Sequence, residues 1–204
     1  MSDEIRLLLA DDQALVRGAL AALLNLERDL TVVAEVDRGD VVLDAVSANP
    51  VDVVLLDVEM PGLDGIAVAG QLAEHAPNVR SLIVTTFGRP GYLRRALDAG
   101  ASGFVVKDTP APELADAVRR VHQGLRVVDP TLATESLLEG NNPLNARERD
   151  ALRLALDGEP VANIARALAL SVGTVRNYLS SAAAKTAAVS SVQAAVIARD
   201  RGWL

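Results

Sequence analysis

The chain has 204 residues, half of them hydrophobic, no cysteine and a formal net charge of −7. That length and apolar fraction suit one large domain or two small ones with real cores, and they argue against global disorder. Without cysteine, a disulfide framework, a thiolate metal site and a cysteine nucleophile are all excluded.

The first 124 residues alternate short β-like runs with longer helical ones. In chain order, strands are predicted for IRLLLA (5–10), TVVAEV (31–36), VDVVLLD (51–57), RSLIVTT (80–86) and GFVVK (103–107). Helix-like segments cover 14–26, 40–48, 65–75, 91–99 and 112–123, with Pro and Gly punctuating the joins. Five strand–helix repeats imply right-handed crossovers: a five-stranded parallel α/β sheet with helices on both faces. The run VVLLD is continuous rather than alternating, as suits a strand buried on both sides.

Residues 125–143, LRVVDPTLATESLLEGNNP, lose this alternation, and Gly140-Asn141-Asn142-Pro143 is a strong breaker cluster. The expected division is a first domain over 1–124, a linker over 125–143 and a second domain over 144–204. The second reads as a small all-α domain of four helices, at 146–156, 160–168, 172–185 and 191–201. Pro160 suits a first helical turn and Ser171 an N-cap. Residues 1–140 carry 12 Lys/Arg against 22 Asp/Glu, a net of −10, whereas 141–204 carry a net of +3. An acidic control domain joined to a polyanion-binding one fits that split. No apolar run approaches the ~20 residues of a membrane span and the start, MSDEIR, has no signal-peptide pattern, so a cytoplasmic protein is expected. His75 and His122 fall in helical segments with no second ligand nearby and are expected to be solvated or half-packed helix positions.

Reactive groups of parallel sheets collect at the carboxyl ends of the strands. Here those ends carry Asp11 and Asp12, Asp57, Thr85 and Thr86, and Lys107. Clustered carboxylates repel, and oxygen-only ligation with room for water suits Mg²⁺. A cation and an ammonium beside a carboxylate make an arrangement for handling a phosphoryl group. A lone strand-end Asp is ordinarily a turn residue or a helix N-cap, and Asp12 is placed to cap the next helix. The coincidence of three carboxylates, a hydroxyl and an ammonium at these ends favours the chemical reading.

In the C-terminal domain, PVANIARAL, the turn ALS and VGTVRNYLSSAAAK have a helix-turn-helix shape. Ile164, Ala165, Leu168, Val175 and Leu179 fall at core spacings, which leaves Thr174, Arg176, Asn177, Ser181 and Lys185 toward solvent. Such a face suits phosphate and base-edge contacts in a major groove. A polar solvent face on a small bundle fits the same pattern.

LLADDQALVRGAL, VVLLDVEMPGLDG, VTTF and GFVVKD resemble the receiver domain of two-component response regulators, a flavodoxin-like fold. LNARERDALRLALDG and IARALALSVGTVRNYL resemble the LuxR-type helix-turn-helix. Together they resemble the NarL/FixJ group over nearly the whole chain, and TTFGRPGY resembles its DesR-like subgroup. The resemblance implies a DNA-binding response regulator whose partners are a sensor histidine kinase and double-stranded DNA. It also implies no enzyme activity beyond self-phosphorylation from small phosphodonors and autodephosphorylation. Asp57 would be the phosphoacceptor; Asp11, Asp12, Asp57 and the Glu59 backbone carbonyl would hold Mg²⁺. Thr85 and Lys107 would meet the phosphoryl group, with Phe104 at the switch-aromatic position, lacking a tyrosine hydroxyl. Ser171, Thr174, Arg176, Asn177, Ser181 and Lys185 would face DNA. A homodimer on phosphorylation would use the first and last receiver helices, through Ala19, Leu20, Leu23, Leu114, Val118 and Val121.

Four positions depart from the family. Asn145 and Asn163 stand where Thr and Glu are usual, and KTAAVSS replaces a KLGV turn with its following basic residue. Losing a leucine at Thr186 and a basic group at Val189 or Ser191 is expected to weaken packing and phosphate contacts. Two competing readings remain: a haloacid-dehalogenase-type phosphatase, although its second Asp is Glu59 here, and a regulator, phosphorylation-independent or protein-binding in its output.

Overall fold

In the computed structural model, the described residues are 4–86, 90–130, 132–134 and 142–204. Phe87 to Arg89 of the TTFGRPGY motif, and Gly140 and Asn141 of the breaker cluster, lie outside them. The chain divides into two compact units, one built on a sheet and one helical.

The sheet unit has strands β1 (Ile5–Ala10), β2 (Leu30–Val36), β3 (Val53–Leu56), β4 (Arg80–Thr85), β5 (Gly103–Val106) and β6 (Val127–Val128). All pair in parallel, in the order β2-β1-β3-β4-β5-β6. Its helices are α1 (Ala14–Leu24), α2 (Val42–Ala48), α3 (Gly65–His75), α4 (Pro90–Asp98) and α5 (Ala111–His122). Period-two alternation divides the core. Leu7, Leu9, Val53, Leu55 and Val84 face the layer of α1 and α5. Leu8, Val54, Leu56, Ile83 and Phe104 face that of α2, α3 and α4. Every residue of β3 is therefore buried, which is why its sequence is continuously apolar. The order reverses between β1 and β3, and the carboxyl ends of those strands flank the crevice where such folds place ligands.

Two local devices hold the loop after β3. Asp64 caps α3 by accepting the Ala67 N–H at 2.7 Å. Gly65 folds back on Asp57, where a Cβ would sit 2.0 Å from the Asp57 carbonyl oxygen. No other residue fits there without moving the acidic strand end.

The sheet has six strands, not the expected five. Val127 and Val128 pair with Gly103 and Phe104 inside the span expected to be linker. Two residues are too few to show an alternation, so only pairing with a distant strand defines this one.

The helical unit contains α6 (Ala146–Leu156), α7 (Val161–Ala167), α8 (Val172–Lys185) and α9 (Ser191–Asp200). Leu152, Ile164, Val175, Leu179, Ala195 and Trp203 lie at its centre. Asn145 forms a reciprocal capping box with Glu148, so the departure from threonine keeps a full N-terminus for α6. Ser171 and Ser190 cap α8 and α9. Thr186 is buried in place of a leucine, but its hydroxyl donates to the Ala182 carbonyl at 2.9 Å and is satisfied. Ala169 and Ala187, after α7 and α8, adopt φ of +54° and +55°. That left-handed backbone costs an L-residue about 1–2 kcal/mol and is ordinarily given to glycine. Among the described residues, no helix is long and apolar enough to cross a membrane.

Candidate phosphoacceptor site and nucleic-acid interface

β1, β3 and β5 end on one rim and bring their terminal side chains together. The Lys107 ammonium lies 2.7 Å from Asp11 Oδ2 and 2.8 Å from Asp57 Oδ2. Asp57 is only 4 % exposed and Asp11 3 %, whereas Asp12 is open to solvent. One carboxylate oxygen from each of Asp11, Asp12 and Asp57 falls within 4.8 Å of the others. Asp12 does not cap α1: the N-cap is Gln13, without a side-chain bond, and Asp11 Oδ1 instead accepts the Gln13 N–H at 2.9 Å. The capping alternative for Asp12 therefore falls. An oxygen-only trio with one solvent-facing member fits a hard divalent cation that keeps several waters.

Burial pushes the Asp57 carboxyl above its ordinary value; Asp11 pushes the same way, and Lys107 opposes without prevailing. Burial acts to lower the Lys107 ammonium, yet hydrogen bonds to Asp11 and Asp57 hold it above its usual value. The site thus concentrates negative charge that one lysine does not fully offset. A carboxylate so placed, with a second carboxylate sharing its lysine, is less fully compensated than an ordinary structural anion.

The other predicted residues of this rim are distributed more unevenly. Thr85 is buried at the end of β4, and its carbonyl accepts the Lys107 N–H at 2.8 Å. Glu59 is exposed in the loop two residues past Asp57. Phe104 is fully buried beneath the β4–β5 end of the sheet. Arg17 escaped the sequence reading. From α1 it donates to the Asp11 carbonyl and pairs with Glu35 at 3.5 Å, tying the acidic strand end to its neighbour. Its place a turn and a half beyond Asp11, on the same side as Gln13, was the available signal.

Three of the expected dimer residues are core. Leu114, Val118 and Val121 are buried against the sheet, because the apolar stripe of α5 is its inward face; Glu113, Asp116 and Arg120 point outward. Leu20 is half-buried against the same core. Ala19 and Leu23 are exposed, and Leu15 (87 %) and Leu26 (78 %) extend them into an uncovered apolar stripe along α1.

On α8, Arg176 and Asn177 are exposed as expected, and Ser180 continues their stripe. Thr174 is half-buried, its hydroxyl 2.8 Å from that of the exposed cap Ser171. Lys185 is exposed as expected, but its ammonium, like the hydroxyl of the half-buried Ser181, bonds to Glu148. Ser181 donates to Glu148 Oε1 at 2.7 Å, and the Lys185 ammonium lies 2.9 and 2.8 Å from the two Glu148 oxygens. Glu148 is 2 % exposed and also accepts the Asn145 N–H. Burial acts to raise its carboxyl, but Lys185, Ser181 and Asn145 together hold it below the usual range. The sequence reading missed Glu148, although Asn-x-x-Glu ahead of an apolar run is a capping-box signature.

Residues 7–119 match the family described as the response regulator receiver domain, and residues 142–198 match the LuxR family of bacterial regulatory proteins. The chain is 42% identical over 200 residues to the uncharacterized transcriptional regulatory protein YvfU of Bacillus subtilis (strain 168), covering 98% of this chain and all of that one. It is 40% identical to the transcriptional regulatory protein DesR of the same organism, over 98% of each. Among solved structures, the response regulator ChrA of a heme-sensing two-component system is similar at 32% identity and a TM-score of 0.60, over 98% of this chain and 99% of that one. Receiver and helix-turn-helix matches in this order decide against the aspartyl-nucleophile phosphatase. This chain belongs to the response regulators of two-component systems that carry a LuxR-type DNA-binding domain.

Proposed function

We propose that this regulator is switched by phosphorylation of Asp57. The supporting observation is the buried carboxylate held 2.8 Å from Lys107 on a rim shared with Asp11 and Asp12. An Asp57 oxygen attacks phosphorus of a histidine kinase's phosphohistidine or of an acyl phosphate. The bond from phosphorus to the donor's nitrogen or oxygen breaks as an acyl phosphate forms on Asp57. Asp11, Asp12 and the Glu59 carbonyl would hold Mg²⁺, which when bound neutralises phosphoryl oxygen charge. Lys107 is positioned to pair with the transferred group, and the Thr85 hydroxyl to donate to it. The added charge of about −1.5 to −2 then draws in Thr85 and its loop. Beyond this self-phosphorylation and its hydrolysis the chain has no catalytic role.

The output is a two-fold dimer on DNA in the cytoplasm. The α1 stripe through Leu15, Ala19, Leu23 and Leu26 supplies the switchable contact, and α8 enters the major groove with Arg176 and Asn177 nearest the bases. Acetyl phosphate with Mg²⁺ is expected to label the chain once. Stoichiometric labelling that persists in Asp57→Asn would refute the assignment. Sedimentation with beryllofluoride tests the dimer, whose mass doubles in wild type and fails to double in Leu15→Glu.

A further inference from the structure

The first turn of α8 carries a partly exposed apolar side chain. Val172 is 38 % exposed and is not among the buried residues of the helical unit's core. Beside it, Gly173 offers no side chain, and a Cβ there would meet nothing closer than the Ser171 hydroxyl at 3.7 Å. The Ser171 hydroxyl already takes the Thr174 N–H at 3.0 Å and pairs with the Thr174 hydroxyl. The free surface of this turn is therefore a valine face, on the same stripe as Arg176 one turn later.

The N-terminal residues of a recognition helix are those that reach base edges. In the major groove the apolar group on offer is the C5 methyl of thymine. We propose that Val172 determines specificity by packing on a thymine methyl next to the base pair read by Arg176, an inference that rests on the DNA-reading function above. Four residues of helix rise about 6 Å, close to two base-pair steps of about 3.4 Å. The thymine therefore lies within about two base pairs of the Arg176 contact.

The test removes that methyl alone. The full chain, loaded with beryllofluoride and Mg²⁺, selects a duplex from a random pool, and each thymine of the selected site is then replaced by deoxyuridine. Wild type is expected to lose about fourfold in affinity per half-site at one thymine, the equivalent of one buried methyl group. Val172→Ala, an exposed truncation outside the core, is expected to bind the thymine and uridine duplexes equally. A selected duplex with no uridine-sensitive thymine, or a sensitivity that survives in Val172→Ala, overturns the assignment. Failure to select any duplex sinks the DNA-reading function, and this inference with it.

Discussion

The chain contains two lysines, and each is bound to a buried carboxylate: Lys107 to Asp57 in the sheet unit, Lys185 to Glu148 in the helical one. The pairs have nearly the same geometry, 2.8 Å in both, yet opposite character. Glu148 accepts from Lys185, Ser181 and the Asn145 N–H, and its carboxyl is held low. Among the described residues, Asp57 accepts from Lys107 and its neighbour's N–H only, shares the lysine with Asp11, and is held high. Donor count and a second carboxylate, not the ion pair itself, separate the carboxyl held low from the one held high.

The largest expected effect is chemical. Asp57→Asn should abolish phosphoryl labelling while raising, not lowering, the thermal midpoint in chelator, by about 2–4 °C for each kcal/mol of repulsion relieved. A folded pKa above the unfolded one means the carboxyl contributes stability at low pH that is lost as pH rises through the folded value. A midpoint that falls in Asp57→Asn would show the acidic rim to be settled like Glu148.

Lys185→Ala should cost about 2 kcal/mol in urea unfolding. That lies below the range for breaking a fully buried pair, because the lysine side chain is 36 % exposed and two other donors remain. Its effect on DNA should be indirect. The slope of log affinity against log salt stays unchanged, whereas Arg176→Ala, which removes a base contact, lowers discrimination by about 1–3 kcal/mol at one base pair. A changed slope in Lys185→Ala would return the residue to the duplex surface.

Acid sharpens the contrast further. With its folded pKa depressed, Glu148 contributes stability above the ordinary value of 4.5 that is lost as pH falls through the folded value. Glu148→Gln should therefore flatten the acid limb of the stability curve below about pH 4.5, read by fluorescence of the lone tryptophan, Trp203. An unchanged acid limb would mean that the carboxyl is not held by its three donors.

The smallest effect concerns the turns around the structural pair. Ala169→Gly and Ala187→Gly should each stabilise by about 0.5–1 kcal/mol, the left-handed strain relieved less the extra chain entropy of glycine. Loss of stability in both would mean the alanine methyls pack better than their backbone suggests.

Much of this was legible in the chain because it depends on near neighbours. Five strands and nine helices lie within a residue or two of where apolar periodicity and Pro/Gly punctuation place them, and parallel winding puts Asp11, Asp12, Asp57, Thr85 and Lys107 at strand ends. What the chain alone left open was decided by partners distant in sequence. β6 exists through pairing with β5, 24 residues earlier at Gly103↔Val127. The apolar side of α5 turned to the sheet, so the apolar stripe left exposed on this pair of helices is that of α1. Ser181 and Lys185 bond to the buried Glu148, 33 and 37 residues away, a pairing that no local spacing shows. Periodicity identifies a stripe from local spacing; only close packing decides which surface covers it, and only burial makes a carboxylate demand its partners.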